Sequence, residues 1–276
     1  SWAKQTVAHN TLVVDEASQF AGDWHQSQKH WPRVTYFQAG EKLNAVSAVL
    51  DEAYPDTTIM RTVVQFSHPA FSSPIVVDVV HAKAAKTAQF DLPFYVQGQL
   101  VDFDGKLAKT ATCLKPLGDN NGYQHLWVEA VGAPSRDQIR ISWLNGARFY
   151  TVHSLAPKRT DAVFVRLGAN DPNFNLRPEQ GVILRAPKAK TVAFINVIEP
   201  HGIYDTAAEF TVGSEAQIAD VEHALVNGAD LVLIKTRGGE EIAIAIANDP
   251  APEKHHRIAH GNREWRWDGF IKMWGN

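Results

Sequence analysis

The sequence has little cysteine, no excess of positive charge and no long apolar run. Its 276 residues include one cysteine, Cys113, and therefore no disulfide can form within the chain. The formal net charge is −3 at pH 7, which provides no global positive field to recruit nucleic acid or an anionic membrane. No apolar run reaches the roughly 18 residues of a transmembrane helix. We expect no nucleic acid partner and no membrane span, while a local basic patch that binds an acidic polysaccharide stays open.

Motifs of several common enzyme classes are also absent. The chain has no HExxH pair, Walker loop, GxSxG elbow or paired-cysteine zinc pattern. No glycine-rich turn leads from a strand into a helix, which argues against a dinucleotide site. The chain begins at Ser1 without an initiator methionine or a signal peptide. We therefore expect that the natural N-terminus, with any signal peptide or partner domain, lies upstream.

Strand patterns are what the sequence has in abundance. Residues 58–66 and 74–80 are rich in β-branched side chains, and residues 138–143 alternate strictly between apolar and polar. Helical patterns are scarce, because 82–87 is too short and 216–225 is equally compatible with a strand. Turn signals recur about every 8–12 residues, a spacing typical of sandwiches and barrels. The sequence predicts an all-β protein, a large antiparallel multi-stranded β-sandwich.

Three short turn sequences predict hairpins. Asn-Gly at 145–146, Asp-Gly at 104–105 and Gly-Gly at 238–239 each lie between two strand-like runs. These dipeptides tolerate the positive φ angles of tight hairpin turns. No Gly/Ser-rich or Pro-rich linker divides the chain, the nearest candidate being 250–252. We therefore predict one domain over residues 1–276.

The first candidate site is the triplet His9-Asn10-Thr11 at the edge of an apolar strand. By pattern alone, a histidine that caps a strand end through hydrogen bonds is the favoured interpretation. The alternative is a metal ligand, because neutral imidazole is a common ligand of Zn²⁺. One ligand does not make a site, and its partners would have to come from elsewhere in space.

The second candidate site follows the apolar strand 191–197. Glu199, His201 and Tyr204 stand at the strand exit, where Pro200 and Gly202 turn the chain. These side chains could face a cleft. The alternative, favoured by spacing alone, is a structural turn with a buried histidine.

Other segments could bind a sugar or serve the fold. The polar loop 166–177 could contact hydroxyl groups or form a solvated Asx-rich turn. Aromatic residues in 122–127 are candidates for the core. An aromatic and basic cluster in a predicted loop could stack on sugar rings or plug a core, with equal support for either; it comprises Trp24, His25, His30 and Trp31.

These segments, in this order, resemble a known family. The opening SWAKQTVAHNTLVVDE of residues 1–16 resembles the C-terminal β-sandwich region of family 17 polysaccharide lyases, the oligoalginate lyases of the heparinase II/III-like group. Residues 122–127, 143–151, 167–177 and 199–204 are similar to later stretches of that region. The His-Asn-Thr triplet is the most specific part, whereas the final WRWDG fits only loosely.

The resemblance implies a two-part enzyme. In the family, an N-terminal α/α toroid supplies an Asn, a His and a Tyr around the cleaved sugar, and the sandwich adds a further Tyr, a His and a structural zinc site. The zinc ligands are an upstream His and Asp together with the histidine of the triplet, which is His9 here. The other zinc ligands and the catalytic Tyr of the sandwich would precede Ser1. We therefore expect no catalytic residue in this chain.

The implied reaction is β-elimination from a uronate in oligo-alginate. A group that neutralises the carboxylate stabilises the enolate-like intermediate, a base removes the C5 proton and an acid protonates the leaving oxygen. We predict that Asn10, Glu199 and His201 bind substrate and that His9 binds zinc. The resemblance also implies a periplasmic or secreted bacterial protein, and it leaves oligomerisation open.

Two further functions stay open at this point. One is lyase action on another uronate polymer, such as a glycosaminoglycan. The other is a non-catalytic carbohydrate-binding or structural β-sandwich. The latter would bind oligosaccharide on its own and never eliminate.

Overall fold

The computed structural model describes residues 2–109, 114–134, 136–168, 179–249 and 254–275. Cys113, most of the polar loop 166–177 and the stretch 250–252 lie outside these ranges. The strands of the described residues are β1 Val13–Val14, β2 Arg33–Gln38, β3 Leu43–Tyr54, β4 Thr57–Phe66, β5 Ile75–Tyr95, β6 Gln99–Phe103, β7 Gly105–Lys109, β8 Lys115–Pro116, β9 Leu126–Pro134, β10 Ile139–Asn145, β11 Arg148–Leu155, β12 Asp161–Leu167, β13 Gln180–His201, β14 Ile203–Asp205, β15 Phe210–Val212, β16 Ile218–Val226, β17 Ala229–Thr236, β18 Glu241–Ala247, β19 His255–His260, β20 Arg263–Asp268 and β21 Ile271–Trp274.

Helical structure is confined to short segments. The α-helix α1 spans Trp24–Ser27, and 3₁₀ turns span Trp2–Lys4, Thr6–Ala8, Gln19–Gly22 and Tyr123–His125. Among the residues described, none of these helices has the length and apolar character that crossing a bilayer requires. The prediction of an all-β fold is confirmed.

Two long central strands organise the larger sheet. Its strand order is β2-β3-β4-β5-β13-β11-β10-β6, while β12 joins β13 to β9 and thereby attaches β7 and β8. β5 and β13 pair antiparallel from Tyr95 opposite Gly181 to Val76 opposite Ile198. The register shifts between Ala186 and Thr191 interrupt this ladder, and a β-bulge of this kind bends the strands that carry it. The two halves of β5 and β13 therefore serve different parts of the core.

A four-stranded sheet of order β16-β17-β18-β21 forms the second layer. Val77 and Val197 of the large sheet share one buried cluster with Leu231 and Ile244 of the small sheet. β18 is buried along nearly its whole length, because the β19–β20 hairpin places tryptophans in the same cluster. This continuous burial explains why 242–246 alternates only isoleucine and alanine. The result is a sandwich, as predicted.

Two of the three predicted hairpins are confirmed. Asn145 pairs with Arg148 across the β10–β11 turn, where Gly146 has φ +58°. Lys235 pairs with Glu241 across the β17–β18 turn, which contains the Gly-Gly pair.

The hairpin predicted at Asp-Gly 104–105 is wrong. β6 pairs with β10, whereas β7 pairs with β9. A Cβ atom on Gly105 would lie 2.5 Å from the Ala133 carbonyl oxygen and 2.4 Å from the Phe103 ring. The glycine therefore permits close approach to β9 and does not form a two-residue turn.

Candidate functional site

His9 lies on the surface at the end of the 3₁₀ turn Thr6–Ala8. Its Nε2 atom is 3.0 Å from the Ala3 carbonyl oxygen. A polar cleft of about 420 Å³ opens beside it, with Lys4, Asp23 and Trp24 among its lining residues. His9 is thus accessible to an additional group, and its visible hydrogen bond is the local one expected of a structural histidine.

Asn10 is also exposed, but its amide is engaged by the backbone of β5. Its Oδ1 accepts the Tyr95 N–H at 2.7 Å, and its Nδ2 donates to the Tyr95 carbonyl oxygen at 3.3 Å. Arg61 Nη1 donates to the Asn10 carbonyl oxygen at 2.6 Å. Asn10 therefore fixes the N-terminal segment to the end of β5.

A buried polar path leads from this segment into the large sheet. Arg61 makes a bidentate pair with Asp78, at 2.6 Å from Nε and 3.0 Å from Nη2. Asn196 Nδ2 donates to Asp78 at 3.1 Å and Ser154 Oγ donates to Asn196 at 2.7 Å. Ser154 belongs to β11 and Asn196 to β13, and β13 also carries Glu199 and His201 of the second candidate site.

The Glu199 side chain is buried and holds two consecutive backbone amides. Its exposed fraction is 1%, and its two oxygens accept the Gln217 N–H at 2.8 Å and the Ile218 N–H at 2.9 Å. A carboxylate that accepts hydrogen bonds at both oxygens from the start of β16 ties that strand to the end of β13. The Glu199 carboxylate therefore points toward the backbone amides of Gln217 and Ile218 and away from solvent.

His201 is buried next to Glu199 and uses both ring nitrogens. Nδ1 lies 3.0 Å from the Gly213 carbonyl oxygen, and Nε2 lies 2.8 Å from Thr151 Oγ1. A carbonyl oxygen can only accept, and therefore Nδ1 carries a proton and donates it to Gly213, while the Thr151 hydroxyl satisfies Nε2. Phe149 stacks on the ring at 6.0 Å between centroids. His201 and Glu199 together anchor residues 213–218.

His153 lies two positions after Thr151 on β11 and is a neutral buried histidine. Burial, and to a lesser extent the positive charges of Arg140 and Arg237, lower its pKa to about 3. Its Nδ1 lies 3.1 Å from Gln138 Nε2, which must be the donor because the side-chain amide nitrogen cannot accept. An imidazole held neutral in this way is a packing element and not a proton store near pH 7.

A histidine–aspartate–histidine bridge joins the two sheets. Asp230 of β17 is fully buried, and its oxygens lie 2.8 Å from His81 Nε2 of β5 and 2.7 Å from His223 Nε2 of β16. Burial raises the pKa of Asp230, but the hydrogen bonds and charges of the two imidazoles outweigh burial and lower it. The two histidines also line a mainly apolar cavity of about 680 Å³. Sequence reasoning missed this cluster, since His81 and Asp230 lie 149 positions apart.

A second buried charge cluster lies between β5, β13 and the 3₁₀ turn Tyr123–His125. Arg185 binds Asp91 through Nε at 3.0 Å and Nη2 at 2.8 Å, and Tyr123 Oη donates to Asp91 at 2.7 Å. Glu16 accepts from Arg185 at 2.8 Å. Burial raises the pKa of Tyr123, and the Asp91 charge raises it further. Tyr123 is therefore a permanent donor and unsuited to act as a base.

The predicted aromatic loop is on the surface. Trp24 is 40% exposed and Trp31 is 77% exposed, and neither is a core plug. Lys4 Nζ lies 4.6 Å from the centroid of the Trp24 ring. This cation and aromatic face border the same cleft as His9.

The described residues contain no group of three or more His, Cys, Asp or Glu side chains arranged to hold a metal ion. A zinc site at His9 would therefore need ligands from outside the described residues.

The chain matches the family described as Heparinase II/III-like, C-terminal, over residues 1–245, and it belongs to that family. An exo-oligoalginate lyase of Saccharophagus degradans is 39% identical over 99% of this chain and 38% of its own length. An alginate lyase of Stenotrophomonas maltophilia is 36% identical over 98% of this chain and 36% of its own length. The chain thus spans little more than a third of these relatives.

Solved structures share the fold at low identity. A heparinase III superposes with a TM-score of 0.57 at 12% identity, covering 89% of this chain and 31% of the other. The heparan sulfate lyase HepC from Pedobacter heparinus superposes with a TM-score of 0.56 at 13% identity, covering 92% and 32%. These likenesses confirm the fold and carry no information on substrate.

Proposed function

We propose that this chain is the C-terminal β-sandwich part of an alginate lyase that cleaves oligo-alginate by β-elimination. The observation that carries the proposal is the 39% identity to an exo-oligoalginate lyase along 99% of the chain. The relatives extend well beyond the matched region, which supports a separate N-terminal part. We propose an α/α toroid for that part and a periplasmic or secreted location for the enzyme.

We propose that this part of the enzyme supports the site and that the other part supplies the acid and base. This assignment follows from the hydrogen bonds that the ionisable side chains already make. Tyr123 has a raised pKa, Glu199 binds two amides and both nitrogens of His201 have partners. None of these three groups is free to exchange a proton with a uronate. The base and acid of β-elimination would then be other groups, and we propose that they lie in the part of the enzyme outside this chain.

We propose an indirect role in substrate binding for the predicted site residues. Glu199 and His201 hold residues 213–218, and Asn10 holds Tyr95. Their contribution would be to fix the position of surface segments that face the other part of the enzyme. Substitution of any of them should therefore affect structure and substrate affinity together.

For zinc, the chemistry of the available donors supports one ligand. His9 is an exposed imidazole, which is a suitable Zn²⁺ ligand, and the remaining ligands would lie upstream of Ser1. When bound, the ion would hold the N-terminal segment of this chain against the preceding part of the enzyme. β-Elimination needs no metal-activated water, and the role proposed for zinc is therefore structural.

The activity is tested by comparing the complete enzyme with the isolated chain. The complete lyase, incubated with alginate, should produce unsaturated uronates that absorb in the ultraviolet, and the isolated 276-residue chain should produce none. Heparan sulfate is the matched second substrate, because the fold is shared with heparinases. If heparan sulfate gives product and alginate gives none, the substrate of the enzyme is a glycosaminoglycan and not alginate. Product from the isolated chain would contradict the assignment of the acid and base to the other part.

The metal is tested with His9→Ala in the complete lyase. Loss of a direct ligand should weaken zinc binding by at least about 100-fold, since even changes to residues behind a ligand cost 10–100-fold. Elemental analysis after dialysis against a weak chelator measures the retained zinc. His25→Ala, a nearby exposed histidine, is the control and should retain the metal. Equal zinc in both variants would remove His9 from the ligand set.

A further inference from the structure

The hairpin of β14 and β15 exposes an apolar face. Ile203 pairs with Val212 and Asp205 pairs with Phe210, whereas Tyr204 and Thr211 form the intervening pair. Because side chains alternate across a strand, Ile203, Phe210 and Val212 lie on one face of the ribbon. Their exposed fractions are 53%, 51% and 60%. Asp205 shares this face at its turn end, where its carboxylate accepts the N–H groups of residues 207 and 208. Three of the four side chains on this exposed face of the two-stranded ribbon are therefore large and apolar.

The base of this hairpin is firmly held. The Tyr204 N–H donates to the Ala147 carbonyl oxygen at 2.9 Å, and His201 binds Gly213 as described above. Gly202 has φ +57°, and a Cβ atom there would lie 2.2 Å from the Gly213 carbonyl oxygen. Glycine is therefore required for the two strands to meet at the base. The chain uses Glu199, His201 and Gly202 to fix where the ribbon starts.

A fixed base and an exposed apolar face indicate that the β14–β15 hairpin packs against another protein surface. An isolated two-stranded hairpin is marginally stable in water, and three or more strands or a packed face are normally needed. β14 and β15 pair only with each other in the described sheets. Burying the apolar face against another surface would supply the missing stabilisation.

We propose that the apolar face of the β14–β15 hairpin packs against the N-terminal part of the lyase. This inference rests on the proposed function, which makes that part the constant neighbour of this chain. The relatives contain more than half of their length outside the matched region, which is ample to provide such a surface. The hairpin leaves from Glu199 and His201, the side chains for which we propose an indirect role in substrate binding.

The charge on the hairpin specifies the partner surface further. Residues 202–213 contain Asp205 and Glu209 and no lysine or arginine. The receiving surface should be apolar at its centre, with basic side chains at its rim.

The test is thiol labelling of the complete lyase in a background where Cys113 and any cysteine of the N-terminal part are replaced by serine. Phe210→Cys and Val212→Cys place single thiols on the apolar face, and Thr211→Cys places one on the opposite face of the same strand. We expect thiols on the apolar face to react about tenfold or more slowly than the control, because the centre of a packed interface excludes water. The two independent positions guard against a variant that fails to fold. Labelling measures contact and not catalysis; its result therefore stands apart from the activity assay on alginate.

Three results would overturn the proposal. Equal labelling at positions 210, 211 and 212 would show that the apolar face is free in the complete enzyme. Protection that appears only after oligo-alginate is added would assign the face to the sugar. Protection that disappears on dilution of the enzyme would assign it to a second copy of the chain.

Discussion

Replacing Asp91 by alanine should lower the free energy of unfolding by about 3–5 kcal/mol, since the change leaves a buried charge without its partner. Asp91 is 1% exposed and accepts four hydrogen bonds, two from Arg185, one from Tyr123 and a longer one, at 3.4 Å, from Gln89 Nε2. Its removal leaves the Arg185 guanidinium, whose side chain is only 21% exposed, and the buried Tyr123 hydroxyl without their carboxylate partner. Glu16 remains near Arg185 but is itself more exposed, and it can compensate only in part.

Urea unfolding at pH 7 measures this loss. Asp102→Ala is the matched control, because Asp102 is about half exposed and pairs with Arg140 at 3.0 Å. An exposed pair of this kind contributes about 0–1 kcal/mol. A loss at Asp91 no larger than that at Asp102 would contradict the interpretation of the cluster as an essential buried ion pair.

A second variant separates the cost of a broken pair from the value of the intact one. Replacing Asp91, Arg185 and Tyr123 together by Leu, Met and Phe removes every charged and hydroxyl group of the triad. Apolar replacement of a whole buried ion cluster is often neutral or stabilising. The triple variant should therefore be more stable than Asp91→Ala alone. If it is less stable, the cluster contributes net stability that apolar packing cannot match.

Local sequence patterns predicted the strands and two turns because those features depend on neighbouring residues. The Asn-Gly turn at 145–146 and the alternation in β10 are specified within a few positions. The Asp-Gly turn at 104–105 was predicted wrongly, because the role of Gly105 depends on the distant carbonyl of Ala133. Turn chemistry alone does not distinguish a tight turn from a close approach between strands.

The candidate sites divide in the same way. The pattern was compatible with His201 as either a buried structural histidine or a cleft residue. The structure shows a buried histidine whose partners, Gly213 and Thr151, the local sequence does not reveal. Glu199 appeared to be a carboxylate at a strand exit, yet its partners are backbone amides 18 and 19 residues away. The His81–Asp230–His223 bridge has no local pattern at all, since it forms only when two sheets pack.

That bridge gives the second prediction of large effect: Asp230→Asn should cost several kcal/mol at neutral pH and much less in acid. An amide cannot accept from both imidazoles with the strength of a carboxylate, because hydrogen bonds to a charged group contribute about 1.5–3 kcal/mol each. Asp230 is fully buried between the sheets, and its two bonds span β5, β16 and β17. The loss should therefore appear as weaker packing of the small sheet on the large one.

The pH dependence follows from the direction of the Asp230 pKa shift. Folding lowers this pKa below its ordinary 3.8, because the two imidazoles favour the carboxylate more than burial disfavours it. A lowered folded pKa contributes stability above the unfolded value, and this stability is lost as the pH falls through the folded value. The difference in free energy of unfolding between the native protein and Asp230→Asn should therefore be fully present above about pH 5 and should shrink as the pH falls below about 4 toward the folded pKa.

Unfolding in urea at pH 7, 5, 4 and 3 measures this convergence, with Asp102→Asn as the exposed control. The control should track the native protein within about 1 kcal/mol at every pH. A constant gap between native protein and Asp230→Asn down to pH 3 would show that the carboxylate charge is not what stabilises the bridge. In that case the shape of the side chain, and not its ionisation, would join the two sheets.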